Sequence, residues 1–240
     1  MRTFLLVVAC SAVAASCGPV PHQAQADEGD PAQVGAPAAV EELAPGEVQD
    51  MREGYVQLLR RPDGRFSKAG WNHYGPGHFE LDPVTGVLTS RGGMGLLWYS
   101  VRDFGDFVLD LEYRCTDERT NSGVFVRVPE VPTSNDYIFH SFEVQIMDGA
   151  EGVHQTGAVY DAEPPTHLAS KAPGEWNRMR ITFVGSRLEV EINGEKVVDW
   201  EAEPRGKVVS FAQRGYIGLQ NHDDRSPVYF RNLFVKDLEG

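Results

Sequence analysis

The sequence predicts an all-β domain, an antiparallel sandwich or jelly roll, and three observations carry that prediction. Short runs of alternating apolar and polar residues recur from Trp71 to near the C-terminus, separated by turns that contain Gly or Pro. No amphipathic helix longer than two turns fits beyond Trp71. The 240 residues include 25 Gly, 15 Pro and 10% aromatics, which suits a turn-rich β protein.

Taken in order, Val48 to Leu59 is patterned as a short helix with Met51, Tyr55 and Leu58 on one side. A strand is expected at 96–100. The run Phe107-Val-Leu-Asp-Leu-Glu-Tyr-Arg114 then puts Phe107, Leu109, Leu111 and Tyr113 on one face and Asp110, Glu112 and Arg114 on the other. Further strands are expected at 122–128 and 138–147. The segments 180–184 and 187–192 alternate strictly around Gly185-Ser186, a two-residue hairpin turn. A second hairpin turns at Asn193-Gly194, the strongest short hairpin signal. Strands at 215–221 and 228–237 complete a set of about ten, with no internal repeat.

The faces turned away from the core differ in kind. In the 180–192 hairpin that face is Arg180, Thr182, Arg187, Glu189 and Glu191, the mixed charge of a solvated sheet. Three other strands leave Phe125 and Arg127, then Glu143, Gln145 and Met147, then Gly218, Gln220 and His222. Such a mixed polar and apolar surface suits a polyhydroxylated ligand. Period two fixes faces but not which strands are neighbours.

The chain opens with Arg2, an apolar run from Phe4 and small residues up to Cys17. That is a signal peptide, too short to cross a bilayer, which takes about 20 apolar residues. Ala14-Ala15-Ser16-Cys17 resembles a bacterial lipobox, with Cys17 as the acylated residue. Residues 18–50 are rich in Ala, Pro and Glu, and lack Lys, Arg and aromatics. They read as a flexible linker, because such a stretch buries too little apolar surface to offset its ordering entropy. The domain is then 51–240, and the protein is expected in the cell envelope as a membrane-anchored lipoprotein, periplasmic or at the surface. Removing Cys10 and acylating Cys17 leaves Cys115 alone, so no disulfide framework is available. The formal charge of −13 argues against nucleic acid, and against an anionic membrane surface beyond the anchor itself. Composition gives no oligomeric state.

Eight motifs occur in order along residues 53–238: Gly105-Asp-Phe-Val-Leu-Asp-Leu-Glu-Tyr-Arg114, Asn121-Ser-Gly-Val-Phe-Val-Arg127, Phe142-Glu-Val-Gln-Ile-Met-Asp148, Thr156-Gly-Ala-Val-Tyr160, Pro173-Gly-Glu-Trp-Asn177, Ile192-Asn-Gly194, Ile217-Gly-Leu-Gln220 and Val228-Tyr-Phe-Arg-Asn232. Together they resemble the 3-keto-disaccharide hydrolase family. The resemblance implies a concanavalin-like jelly roll and cleavage of 3-keto-glycosides by elimination and hydration. Two departures are present: Gln220-Asn-His222 stands where Leu-Gln is often followed by His-Gly, and Phe142 stands where a Tyr usually precedes Glu-Val-Gln.

A double-displacement glycosidase needs two carboxylates about 5–5.5 Å apart. The alternation Glu143, Gln145, Met147 supplies one, and Asp148 falls on the opposite face. A 3-keto sugar asks for less, because its ketone acidifies the C2 proton and one positioned base can remove it. Glu143 is the expected base, His222 the acid for the departing oxygen and Arg127 the cation at the enolate. Asn121, Gln145 and Gln220 would bind hydroxyls, Trp98 or Tyr160 would stack on the sugar, and His154 is a further candidate. The structural alternatives are a plain Glu143–Arg127 ion pair and an idle loop histidine. No organic cofactor is expected and no metal-ligand spacing stands out, although Asp223-Asp224 or Asp148 could ligate Ca²⁺. A noncatalytic carbohydrate-binding or envelope interaction module on the same scaffold is the competing function.

Overall fold

The computed structural model describes residues 53–225 and 227–239. The segments read as signal peptide and linker, with Cys17, lie outside the described residues.

Thirteen strands form two antiparallel sheets among these residues. One sheet holds β1 (Val56–Gln57), β3 (His78–Leu81), β4 (Leu88–Arg91), β6 (Phe107–Cys115), β9 (Asn177–Val184), β10 (Arg187–Ile192), β11 (Glu195–Glu201) and β13 (Val228–Asp237). Its order is β11-β10-β9-β6-β13-β4-β3, with β1 paired to β13. The other holds β2 (Trp71–Tyr74), β5 (Gly95–Tyr99), β7 (Ser122–Val128), β8 (Phe142–Ile146) and β12 (Tyr216–Asn221), in the order β2-β5-β12-β7-β8. The three strands with mixed outer faces, β12, β7 and β8, are therefore neighbours.

Alternation explains the core. Phe107, Leu109, Leu111 and Tyr113 of β6 meet Val124, Val126, Phe142, Val144, Ile146, Ile217 and Leu219 of the smaller sheet in one buried cluster. Each such side chain contributes about 1.5–3 kcal/mol by leaving water. Both hairpin turns fall where the sequence puts them: Val184 pairs with Arg187, and Ile192 with Glu195. Asn193 and Gly194 both take positive φ, 55° and 87°, as a type I′ turn requires. The solvated face is also as expected, with Arg187 bound to Asp199 at 2.7 Å and Lys196 to Glu189 at 2.9 Å.

Three local expectations are corrected. Val56–Gln57 is a strand, not part of a helix, because its backbone completes the edge of β13. Residues 138–141 do not belong to β8. The segment Asn135–Phe139 is a 3-10 turn capped by Ser134, whose Oγ accepts from Asp136 N at 3.1 Å. Trp176, whose large apolar ring predicts a core position, is half-buried between Arg114 and Arg231, 4.9 and 4.1 Å from its ring centre.

A second apolar cluster of Leu96, Trp98, Phe125, Val128 and Tyr137 covers part of the opposite face of the smaller sheet. The polar remainder of that face is the candidate site.

Candidate active site

Glu143 lies on β8 opposite Phe125 of β7, and Gln145 lies opposite Gly123. A Cβ at position 123 would come within 2.5 Å of Glu143 Oε1, so glycine there lets the glutamate lie across the neighbouring strand. Gln220 projects from β12, whose backbone is pinned to β7 by the Ser122 hydroxyl donating to Gln220 O at 2.7 Å. Asn121, just before β7, accepts from Gln145 Nε2 at 3.4 Å. These side chains, with Tyr160 and His222, line a cleft of about 320 Å³.

The cation in the cleft is Lys207, which the sequence reading did not single out. Its Nζ stands 2.6 Å from Glu143 Oε2 and 4.1 Å from the centre of the Tyr160 ring. Lys207 sits on the loop after β11, where no periodicity marks a side chain for the site. That loop is held by Arg205, which donates to Glu163 at 2.7 Å and to Ala162 O at 3.3 Å. Gly206 packs directly on the backbone of Asp161, and both have positive φ, 57° and 60°. A side chain at position 206 would collide with Asp161 O, so the contact needs glycine. Asp161 itself lines the cleft, as do Met94 and Ile138.

Glu143 is 3% exposed. Burial drives its carboxyl above the ordinary range, and the Lys207 charge and hydrogen bond, the nearby His222 and the Gln220 side chain only partly offset this. A buried carboxylate whose affinity for protons is raised, and which lies beside an ammonium, has the chemistry to accept a proton. Gln145 Oε1 and Gln220 Oε1 are buried and have no hydrogen-bond partner among the described residues. A buried amide lacking a partner is costly, and a ligand hydroxyl would satisfy it. His222 Nδ1 lies 3.2 Å from Asp223 Oδ2, and Tyr160 has its hydroxyl shifted upward by burial and by the charges of Glu143 and Asp161.

Thus Asn121, Glu143, Gln145, Tyr160, Gln220 and His222 come together. Arg127 does not. A β-bulge places both Val126 and Arg127 against Ile217, with Gly218 paired to Phe125 and Tyr216 to Val128, and Arg127 takes φ 56°. The bulge reverses the side-chain parity, so Val128 turns outward and Arg127 turns into the core. Its guanidinium stacks 3.5 Å over the Phe183 ring and lies 3.5 Å from Asp106, fully buried. Desolvation lowers its pKa to about 10. Trp98 is also outside the cleft, packed in the second apolar cluster with its ring 4.9 Å from that of Tyr216. His154 does not line the cleft and sits behind Tyr160, at 4.9 Å between ring centres.

Asp148 faces away from the site, accepting from Thr156 Oγ1 at 2.6 Å and Ser170 Oγ at 2.8 Å. Asp223 caps the Arg225 amide at 2.8 Å. Among the described residues no three His, Cys, Asp or Glu side chains are grouped to hold a metal ion. Cys115 is buried, its thiol pushed up to about 12 by desolvation, and so is poorly suited to nucleophilic work.

The fold is a jelly-roll sandwich with a cleft lined by polar side chains across one sheet. The chain belongs to the 3-keto-alpha-glucoside-1,2-lyase-like domain family, whose model matches residues 55–236. It is 24% identical to a 3-keto-disaccharide hydrolase of Bacteroides thetaiotaomicron over 78% of this chain and 79% of that one. Among solved structures, a candidate glycosyl hydrolase from Parabacteroides distasonis is 26% identical with a TM-score of 0.63, covering 77% of this chain and 99% of that one. The carbohydrate-binding module CBM66 of Bacillus subtilis shares the fold at 14% identity and a TM-score of 0.51, over 70% of this chain and 96% of that one.

Proposed function

We propose that this protein cleaves 3-keto-glycosides by elimination across C1 and C2, followed by hydration. The observation that carries the reading is Glu143, a buried carboxylate on the cleft floor with the Lys207 ammonium at 2.6 Å. Glu143 takes the C2 proton, and the electron pair moves to the C3 oxygen, where Lys207 holds the developing enolate. The enolate collapses and expels the C1 oxygen, which receives a proton from His222. Water then adds at C1 and a proton returns to C2, restoring a 3-keto sugar. Lys207 takes the role that the sequence suggested for Arg127, and Asn121, Gln145 and Gln220 bind the ring hydroxyls.

The test is turnover of a 3-keto-glucoside by purified wild type and by Glu143→Gln. Wild type should release the aglycone, and the variant should lose at least about 10²-fold in kcat with an unchanged circular dichroism spectrum. Equal turnover by the folded variant removes Glu143 from the mechanism. Delivery to the envelope through acylated Cys17 belongs to the same proposal, and an unmodified Cys17 in the mass spectrum of the mature protein would refute it.

A further inference from the structure

The cleft is chemically two-sided. Its floor, from β7, β8 and β12, carries the amides and the carboxylate, and Lys207 and Asp161 stand on the loop side. Met94 and Ile138 also line it and offer no hydrogen-bonding side chain. Met94 is 40% exposed at the end of the β4–β5 turn, where Gly92 and Gly93 both have positive φ. Ile138 packs against the second apolar cluster, of which Tyr137 is a member.

The position of Met94 relative to His222 gives this wall a direction. Gly95 pairs with Asn221, so residues 94 and 222 face each other where the two strands end. The Asn221 side chain fastens the pair, donating to Arg91 O at 2.5 Å and Gly92 O at 3.3 Å. In the mechanism above, His222 protonates the departing oxygen. The departing group therefore leaves beside Met94.

We propose that Met94 and Ile138 form an apolar shelf for the leaving group, so that the protein prefers glycosides with a flat apolar aglycone to those whose aglycone is a second sugar. This rests on the proposed reaction for its orientation. A second sugar ring would bring hydroxyls against side chains that cannot pair with them. A flat aromatic ring instead removes apolar surface from water on both partners.

The test is calorimetric binding, which needs no turnover and so separates this inference from the reaction itself. The probes are phenyl glucoside, methyl glucoside and a glucose disaccharide, the first two as both anomers. At least one phenyl anomer should bind about tenfold or more tightly than its methyl counterpart and than the disaccharide. Met94→Ser and Ile138→Ser, each shown to be folded by thermal melting, should each reduce that preference to about threefold or less. Equal affinity for phenyl and methyl glucoside, tighter binding of the disaccharide, no binding by any probe, or a preference unmoved in both variants would overturn the shelf. Loss of turnover in Glu143→Gln with no phenyl preference would leave the reaction standing and remove the shelf alone.

Discussion

The Lys207 ammonium contacts Glu143 Oε2 at 2.6 Å, although 64 positions separate the two residues in the chain. The pair is buried on the acid's side and only slightly open on the lysine's, 4% and 12% exposed. Salt screens such a contact far less than it screens the surface pairs of the larger sheet. Replacing Lys207 by Met should lower kcat by about 10²–10³-fold, the effect of losing one donor at a developing oxyanion. It should also move the acid limb of the kcat/KM profile to higher pH. The ammonium favours the carboxylate, so its removal raises the Glu143 pKa further. A limb that stays in place in Lys207→Met would separate the lysine from the base.

Stability should report the same carboxyl. Glu143 titrates above 4.5 in the folded chain, so the folded state holds the proton more tightly than the unfolded one. Its contribution to stability is complete below about pH 4.5 and is lost as pH rises through the folded value. The melting temperature of wild type relative to Glu143→Gln should therefore be more favourable near about pH 4 than near about pH 8. The opposite slope would mean that Lys207 outweighs burial.

Gly206→Ala should impair catalysis through geometry. Alanine at φ 57° costs about 1–2 kcal/mol, and its methyl would run into Asp161 O. The loop must shift and carry Lys207 with it. Below the melting transition, kcat should fall about 10–100-fold, as expected for a displacement of about 1 Å at a reacting group. Unchanged kinetics would show that Lys207 does not depend on this contact.

Arg127→Met should behave as a core substitution. The guanidinium is fully buried, its Nε and Nη1 have no partner among the described residues, and methionine fills much of its volume over Phe183. Removing the guanidinium spares the cost of its desolvation, and the Asp106 carboxylate left behind is partly open to water and so is not stranded as a buried charge. The melting temperature should hold or rise, and kcat should stay within about threefold because the cleft is untouched. A large loss of kcat without loss of fold would return Arg127 to the mechanism.

The strands from β5 onward and most of the cleft floor were legible because side-chain parity is a local property, whereas β1 to β4, of two to four residues each, are too short to show a period. Phe107, Leu109, Leu111, Tyr113, Val124, Val144 and Leu219 enter the core where alternation puts them, and Glu143, Gln145 and Gln220 accordingly face the other way. Parity fails at a single inserted residue. The bulge at Arg127 turned the expected enolate cation into a core side chain, and nothing in Gly123-Val-Phe-Val-Arg127 marks it. Trp98 has the expected face, but it is buried in the second apolar cluster, its ring against Tyr216, and Tyr137 of the turn at 135–139 joins that cluster from a segment distant in sequence. Lys207 was missed for a related reason: its loop has no period, and its partner lies on another element. The pair Arg205-Gly206 before it was the available hint, a glycine next to a charged residue in a loop whose backbone needs positive φ.

The contrast between floor and walls bears on how such a cleft diversifies. Residues 122, 123, 143, 145 and 220 ride on strands hydrogen-bonded on both sides or anchored to the next strand, and a shift in any one of them disturbs the whole ladder. Met94, Ile138 and Lys207 ride on turns, where length and composition can change at little thermodynamic expense. With Lys207 kept for the proposed reaction, proteins built on this plan can therefore exchange guests by editing the turns of Met94 and Ile138 while the strand-borne floor stays in place.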